Sequence, residues 1–378
     1  MGGIPTIESL GDLQGKRILL RADLNVPLGK GGVEGASIAD DFRIQASRPT
    51  IEFLLEAGAG VTVCSHLGRP KGTDPALSMK PVRDELTSYY PGIEVRENLR
   101  FDPGEEANDP AFAAQLADGH DFYVNDAFGA SHRRHASIVG VPALLPSAGG
   151  LTLLDEVSKL TVLLDHPERP YVAIVGGAKV TDKLGLLRAL VAKVDAILVG
   201  GGMCFTFLAA AGMSVGDSLV EPSQIDSCRH LLETGKIVLP IDLVGLASTK
   251  AFGNESGPDA PEHFVGGVPS GYRGLDIGSG SVHEFGRHIS SARSILWNGP
   301  MGVFEDERFS EGTYAVARLV GASQAYSVVG GGDSAAALRR AGLAGSVSHL
   351  STGGGASLEY LEYGDLVGLA ALRHSKEN

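Results

Sequence analysis

The stretch "VNDAFGASHRRHAS" at 124–137 packs His132, Arg133, Arg134 and His135 side by side. The chain around it is acidic, with a formal net charge of −13. Cations concentrated in one loop of an acidic protein suit an anion, because guanidinium groups bind phosphate and carboxylate in a bidentate fork. His132 and His135 are three apart with no third ligand nearby in sequence. That disfavours zinc and leaves hydrogen bonds to phosphate or backbone. Arg134 reads as a solvated charge. Further candidates lie at the ends of apparent strands: Asp23 and Asn25 in "RADLNVPL", His66 and Arg69 in "SHLGRP", and Arg100 in "ENLRF". Arg43 follows in "DDFRI". In open α/β sheets ligands sit at the carboxyl ends of strands, so Arg43, Arg69, Arg100 and Arg133 are expected to converge there.

The second half carries four glycine-rich turns, "IVGGAKVTDK", "LVGGGM", "VVGGGDSAAA" and "STGGGAS". Such a turn between a strand and a helix N-terminus offers free N–H groups and a positive dipole end to phosphate; it can equally be a tight turn. Lys179 and Lys183 are four apart, and on a helix they would share a face and grip one polyphosphate. Asp333 either caps a helix or holds Mg²⁺ as a hard oxygen ligand. "ILWNGPMGVFE" at 295–305 brings Trp297, Asn298 and Glu305 into an otherwise apolar turn. It is either a slot for adenosine or a packed core loop. GxxxxGK[ST] is absent, no GxGxxG follows the first strand of a βαβ unit, and the protein-kinase signatures are missing. The missing dinucleotide fingerprint argues against a dehydrogenase.

The elements that must position these residues are α/β layers. Short β-branched runs such as "RILLRADL", "GVTVCSHL", "YVAIVGG" and "AILVGGG" alternate with amphipathic stretches such as "RPTIEFLLEAGA" and "KLGLLRALVAKV". That rhythm indicates mostly parallel sheets with helices on both faces, a three-layer α/β/α arrangement. At 378 residues two similar-sized domains are expected. The boundaries read as 1–150, a joining helix with a hinge cleft over 151–168, and 169–364, with 365–378 returning to the first domain. "SHLGRPKGTDPALS" and "AFGNESGPDAPEHFVGGVPSGYRG" are the most loop-like stretches.

Composition excludes several classes. A sequence pI of about 5.3 argues against a general nucleic-acid or anionic-membrane surface. No apolar run reaches the length of a spanning helix, and the N-terminus has no h-region. Three cysteines, far apart, signal neither a disulfide framework nor a zinc knuckle. The loose myristoylation pattern of "MGGIPT" reads as chance. A cytoplasmic enzyme is the default.

Taken together, "RADLNVPL", "SHLGRPKG", "ENLRF", "VNDAFGASHRRHAS", "GGAKVTDK", "GGGMCFTFL", "LDIG", "WNGPMGVFE", "GGGDSAAA" and "STGGGASLEYLE" resemble the phosphoglycerate kinase family, in the family's order, from about residue 10 to 370. The resemblance implies reversible phosphoryl transfer between 1,3-bisphosphoglycerate and MgADP, giving 3-phosphoglycerate and MgATP, by a monomer with small-molecule partners only. On that resemblance Asp23, Leu24, Asn25, Arg43, His66, Leu67, Gly68, Arg69, Arg100 and Arg133 hold the phosphoglycerate, with Arg133 on its non-transferred phosphate. Gly177, Ala178, Lys179, Lys183, Gly202, Gly274, Leu275, Asn298, Pro300, Gly302, Val303 and Glu305 hold the nucleotide, as do Gly331, Gly332, Asp333 and Ser334. Arg43, Lys179 and Lys183 are the catalytic candidates and Asp333 the Mg²⁺ ligand. The resemblance further implies closure of the two domains with exclusion of water. A kinase acting on another three-carbon acid, and a non-catalytic relative, are the alternatives.

Several features depart from the family's pattern. The chain is short between "DELTSYYPG" and "ENLRF", where the family has a further strand and helix, so "IEVRENLRF" reads as one strand. "LLETGKIVLP" is also short. Val367 stands where a proline is usual, and "LDIGSGS" lacks the proline after its first glycine. None of these removes a proposed catalytic residue.

Overall fold

The structure is a computed structural model that describes residues 3–29, 37–253, 257 and 259–375. Two compact units divide it, 1–158 with 365–378, and 159–364. The boundary falls inside a helix, Leu151–Asp165. Residues 1–2 of "MGGIPT", 254–256 and 258 of the second loop-like stretch, and 376–378 of the terminal segment lie outside the described residues.

In the first unit a five-stranded sheet runs in the order β3 (Glu94–Val95), β2 (Gly60–Cys64), β1 (Arg17–Ala22), β4 (Phe122–Asp126), β5 (Ser147–Gly149). Every neighbouring pair is parallel. The central strands are buried along their length, as continuous apolar runs in a parallel sheet require. Ile18, Leu20, Val61, Val63 and Val124 form the core with Ile44, Ile51 and Leu54 of the Phe42–Glu56 helix. That helix begins seven residues before Pro49, which sits in its interior and not at its start. "IEVRENLRF" is not one strand: β3 pairs only Glu94 and Val95, and the chain then turns into a 3₁₀ helix, Leu99–Phe101. Asn98 causes the turn, its side chain accepting from Arg100 N. The Val367–Arg373 helix belongs to this unit, with Gly368 N donating to Ser131 O at 2.8 Å.

The second unit holds a six-stranded parallel sheet. Its members are β6 (Tyr171–Val175), β7 (Ala196–Val199), β8 (Ile237–Val238), β12 (Ser294–Asn298), β13 (Tyr326–Gly330) and β14 (His349–Leu350). They are ordered β14-β13-β12-β6-β7-β8. Trp297, fully buried, anchors its core with Ile174, Ile295 and Phe285. A separate antiparallel sheet, β10-β9-β11, comprises β9 (Asp242–Ala247), β10 (Glu262–Val265) and β11 (Tyr272–Ile277). β10 lies in the middle of the stretch read as loop, and β11 begins at its end. Their few apolar residues among Gly, Pro and Asp carried too weak an alternation to be seen.

Candidate active site

Five arginines from five different segments meet at the carboxyl ends of the first unit's strands. Arg21 is the last residue but one of β1, Arg43 lies on the first turn of the Phe42–Glu56 helix, and Arg69 follows β2. Arg100 sits in the 3₁₀ turn and Arg133 in the loop after β4. Arg21, Arg69 and Arg133 all lower the Arg100 pKa, after the larger effect of burial. Arg21, Arg100 and Arg43 do the same to His66, whose imidazole burial already holds well below its usual range. So large a like-charge cluster is unfavourable in an empty protein and favourable around an anion.

Local anions hold the cluster in place. Arg43 Nη1 lies 2.5 Å from Asp23 Oδ1. Asn25 Oδ1 accepts from Gly68 N at 2.8 Å, fastening the "HLGR" loop to the end of β1. Arg100 is not at a strand end: its Nη1 donates to Gly68 O at 2.6 Å and its Nε lies 3.3 Å from Glu106. Leu24 and Leu67 are buried and shape the floor through their backbone. Leu24 N donates to Ser65 Oγ and Leu67 N to Asn98 Oδ1. His135 meets a carboxylate, not phosphate or backbone: its Nδ1 is 3.7 Å from buried Glu105. His132 is held down to about 4, chiefly by burial and then by Arg133.

The second unit carries a cavity of about 530 Å³. Gly177, Ala178, Gly202, Gly274, Leu275, Pro300, Gly302, Val303, Glu305 and Asp333 line it, ten of the positions expected from sequence. Phe205, Asp217, Leu219, Phe252 and Arg273 line it as well and were not anticipated. Arg273 lies over the Phe252 ring, 5.1 Å from its centroid. Phe205 packs so closely on Gly274 that a Cβ there would sit 2.2 Å from the ring. Gly201 takes φ +67° and leaves no room for a side chain against Gly177.

Lys179 and Lys183 do not share a helix face. The helix starts at Leu184 and Lys183 is its N-cap, so both lysines lie on the loop before it. Thr181 clamps that loop, its N and Oγ1 donating to the Glu221 carboxylate at 3.1 and 2.7 Å. Lys179 is exposed. Lys183 is half-buried, its Nζ donating to Asn298 Oδ1 at the end of β12, while Asn298 Nδ2 has no partner among the described residues. Burial pushes the Lys183 amine down to about 8, with Asp182 and Asp333 pulling it up. Neither Asn298 nor Lys183 is among the residues that line the cavity.

Trp297 is core, its indole N–H donating to Gly299 O at 2.8 Å, whereas Pro300, Gly302, Val303 and Glu305 of the same stretch line the cavity. Ser334 Oγ accepts from Gly299 N at 2.6 Å, so Ser334 braces the same turn from below. Gly331 is the N-cap of the Gly332–Arg340 helix, without a side-chain cap bond. Asp333 does not cap it and stands exposed on its first turn at the cavity. One outward carboxylate at a helix start suits Mg²⁺ that takes its other oxygens from phosphates and water. No cluster of three His, Cys, Asp or Glu forms a metal cage among the described residues.

A cation cluster on one α/β unit suits an anionic acid and a glycine-walled cavity on the other suits a nucleotide, which are the two requirements of a phosphotransferase. The sequence model of phosphoglycerate kinase matches residues 7–96 and 91–364, its two stretches meeting where the chain is short. The phosphoglycerate kinase of Salinispora tropica is 50% identical over 406 residues, covering 97% of this chain and 99% of the other. That of Rubrobacter xylanophilus is 49% identical, with 97% of each covered. The solved phosphoglycerate kinase of Coxiella burnetii superposes with a TM-score of 0.87 at 36% identity, covering 99% of this chain and 100% of that one. The chain belongs to the phosphoglycerate kinase family, and it is a kinase. Among the described residues no helix is long and apolar enough to cross a membrane.

Proposed function

We propose that the protein transfers a phosphoryl group reversibly between 1,3-bisphosphoglycerate and MgADP, yielding 3-phosphoglycerate and MgATP. The convergence of Arg43 and Arg100 on His66, and of Arg69 and Arg133 on Arg100, is the observation that carries the acid-binding half. A three-carbon acid phosphate brings two anionic ends, which matches a cluster spread over several segments better than one isolated cation does. Arg133 takes the non-transferred phosphate, and Arg43, held by Asp23, takes the end that reacts. Asp23, Asn25, Leu24, Leu67 and Gly68 shape that half. On the other unit the turns of Gly177, Gly202, Gly274, Gly302, Gly331 and Gly332 receive the nucleotide. Glu305, which lines the cavity, accepts from ribose hydroxyls in this reading.

The acceptor carboxylate is ionised near neutral pH, so the reaction needs no general base. What it needs is cationic charge where phosphoryl oxygens accumulate negative charge. Arg43, Lys179 and Lys183 supply it, Lys183 from its bond to Asn298. Mg²⁺, held by Asp333 together with the nucleotide, would neutralise phosphate charge there. The protein acts as a monomer on small molecules in the cytoplasm.

The test is initial rates with ATP and Mg²⁺ on 3-phosphoglycerate, glycerate and other three-carbon acids. The expected result is turnover of 3-phosphoglycerate at least a hundredfold above glycerate in kcat/KM, since the second phosphate engages charged hydrogen bonds. Preference for an unphosphorylated acid would replace this reading with that of a kinase for another acid.

A further inference from the structure

Arg21 stands under the site and takes no part in the mechanism above. It is 1% exposed, at the penultimate position of β1, in a row of apolar residues. Each part of its guanidinium has an acceptor. Nε donates to Ser137 Oγ at 3.0 Å, and Nη1 to Ala22 O at 2.5 Å and Ser65 Oγ at 3.4 Å. Nη2 lies 3.1 Å from His66 Nδ1. Ser137 is held in turn, its Oγ donating to Glu105 Oε1 at 2.6 Å and its N to Glu105 Oε2 at 2.9 Å. Glu105 is fully buried. The chain Glu105–Ser137–Arg21–His66 thus pairs a buried carboxylate with a buried guanidinium through one hydroxyl and ends on an imidazole of the anion site.

Arginine has donors and no acceptor. A nitrogen 3.1 Å from its Nη2 must therefore offer a lone pair, which fixes the His66 proton on Nε2. We propose that Arg21 is a positioning residue that locks His66 as its neutral Nε2–H tautomer, so that His66 donates one hydrogen bond to an oxygen of the acid substrate. The inference rests on the acid-binding reading of this site. Protonating Nδ1 would set two donors against each other, and Arg43, Arg100 and His135 face the same ring from three other segments. Glu105, the one carboxylate of this hydrogen-bonded series, is spent on Ser137 and His135. A neutral donor among arginines gives direction to the substrate without adding a further charge.

The experiment is long-range ¹H–¹⁵N NMR on the full chain labelled with ¹⁵N-histidine, with His66→Gln assigning the signal. The lock is expected to show as an unprotonated Nδ1 and a protonated Nε2, unchanged from pH 8 to pH 5.5. A protonated Nδ1, or an imidazolium signal within that range, overturns it. Adding 3-phosphoglycerate is expected to shift the Nε2–H resonance. If the enzyme turns over and that resonance stays put, the donor role falls. If 3-phosphoglycerate is neither bound nor turned over while the tautomer holds, the acid-binding reading has failed and the donor role falls with it. Arg21→Lys separates positioning from folding. Its expected effect is a mixed tautomer and a KM for 3-phosphoglycerate raised about tenfold, with kcat changed less. A thermal shift with the tautomer unmoved would make Arg21 structural only.

Discussion

Arg43 Nη1 and Asp23 Oδ1 stand 2.5 Å apart, and this pair aims a half-exposed arginine from a helix toward the end of β1. Asp23 is more buried than Arg43, so the carboxylate is the fixed partner. Asp23→Asn keeps the shape and removes the charge. Arg43 then samples other rotamers, and kcat/KM for 3-phosphoglycerate is expected to fall tenfold to a hundredfold, as small misplacements do. Stability changes by about 1 kcal/mol or less, because a partly exposed pair contributes little. Steady-state rates and a urea titration check both; unchanged rates would remove Asp23 from the site.

Lys183 gives a pH dependence with a definite sign. Its amine titrates at about 8 in the folded protein against an ordinary value of 10.5. Between those values the unfolded chain binds the extra proton, so this group's contribution to stability rises with pH from about 8 to about 10.5. Lys183→Met should flatten that rise in Tm. Its effect on binding is opposite, since the cation is what meets phosphate. In the wild type, KM for ATP should climb above pH 8. In Lys183→Met it should be raised already at pH 7 and nearly level from 7 to 9. Parallel pH profiles would contradict the assignment.

Asp276 carries the reverse sign. Burial pushes its carboxyl up to about 7, against hydrogen bonds from Gly312 N and Ile277 N at 2.8 and 2.9 Å. The folded state holds the proton longer than the unfolded chain, so the contribution is lost as pH rises from about 4 through about 7. Asn has one side-chain oxygen for two donors, and Asp276→Asn should cost about 1–3 kcal/mol at pH 5. The gap from wild type should narrow by pH 8. Thermal melts across that range decide it, and a constant gap would contradict it.

Gly302 lies against that same carboxylate: a Cβ there would sit 2.2 Å from Asp276 Oδ1. Asp276 is tied to two backbone amides and cannot swing away, so the 299–303 turn must move. Gly302→Ala is expected to weaken ATP binding more than tenfold and to leave 3-phosphoglycerate affinity within about twofold, because the acid residues belong to the other unit. Calorimetric titration with each ligand separates the two. Equal losses for both would point to unfolding.

The sequence made some of this legible and hid the rest for physical reasons. Alternating apolar runs and amphipathic stretches signal parallel strands with helical crossovers, and the five- and six-stranded sheets follow that pattern, while the antiparallel β10-β9-β11 sheet does not. Arg43, Arg69, Arg100 and Arg133 were visible because cations at strand ends of an acidic chain stand out. Arg21 was not, because it hides inside an apolar strand and its partners Ser137 and Glu105 are 116 and 84 positions away. Phe205 and Phe252 carry no signal of their own in the sequence; they reach the cavity because Gly274 brings a strand against one and Arg273 covers the other. Spacing alone misled at Lys179 and Lys183, because four apart implies one face only on a helix. Here the loop reaches the helix at Lys183. Asp333 was ambiguous in sequence, and the uncapped Gly331 start favours its role at the cavity.

The most direct test of the central claim is ATP- and Mg²⁺-dependent phosphorylation of 3-phosphoglycerate, coupled to a dehydrogenase that consumes the acyl phosphate, with Arg43→Ala run beside the wild type. The account expects robust turnover that falls at least a hundredfold in Arg43→Ala while ATP affinity is unchanged. A folded, ATP-binding wild type without turnover, or an Arg43→Ala protein as active as its parent, would contradict it.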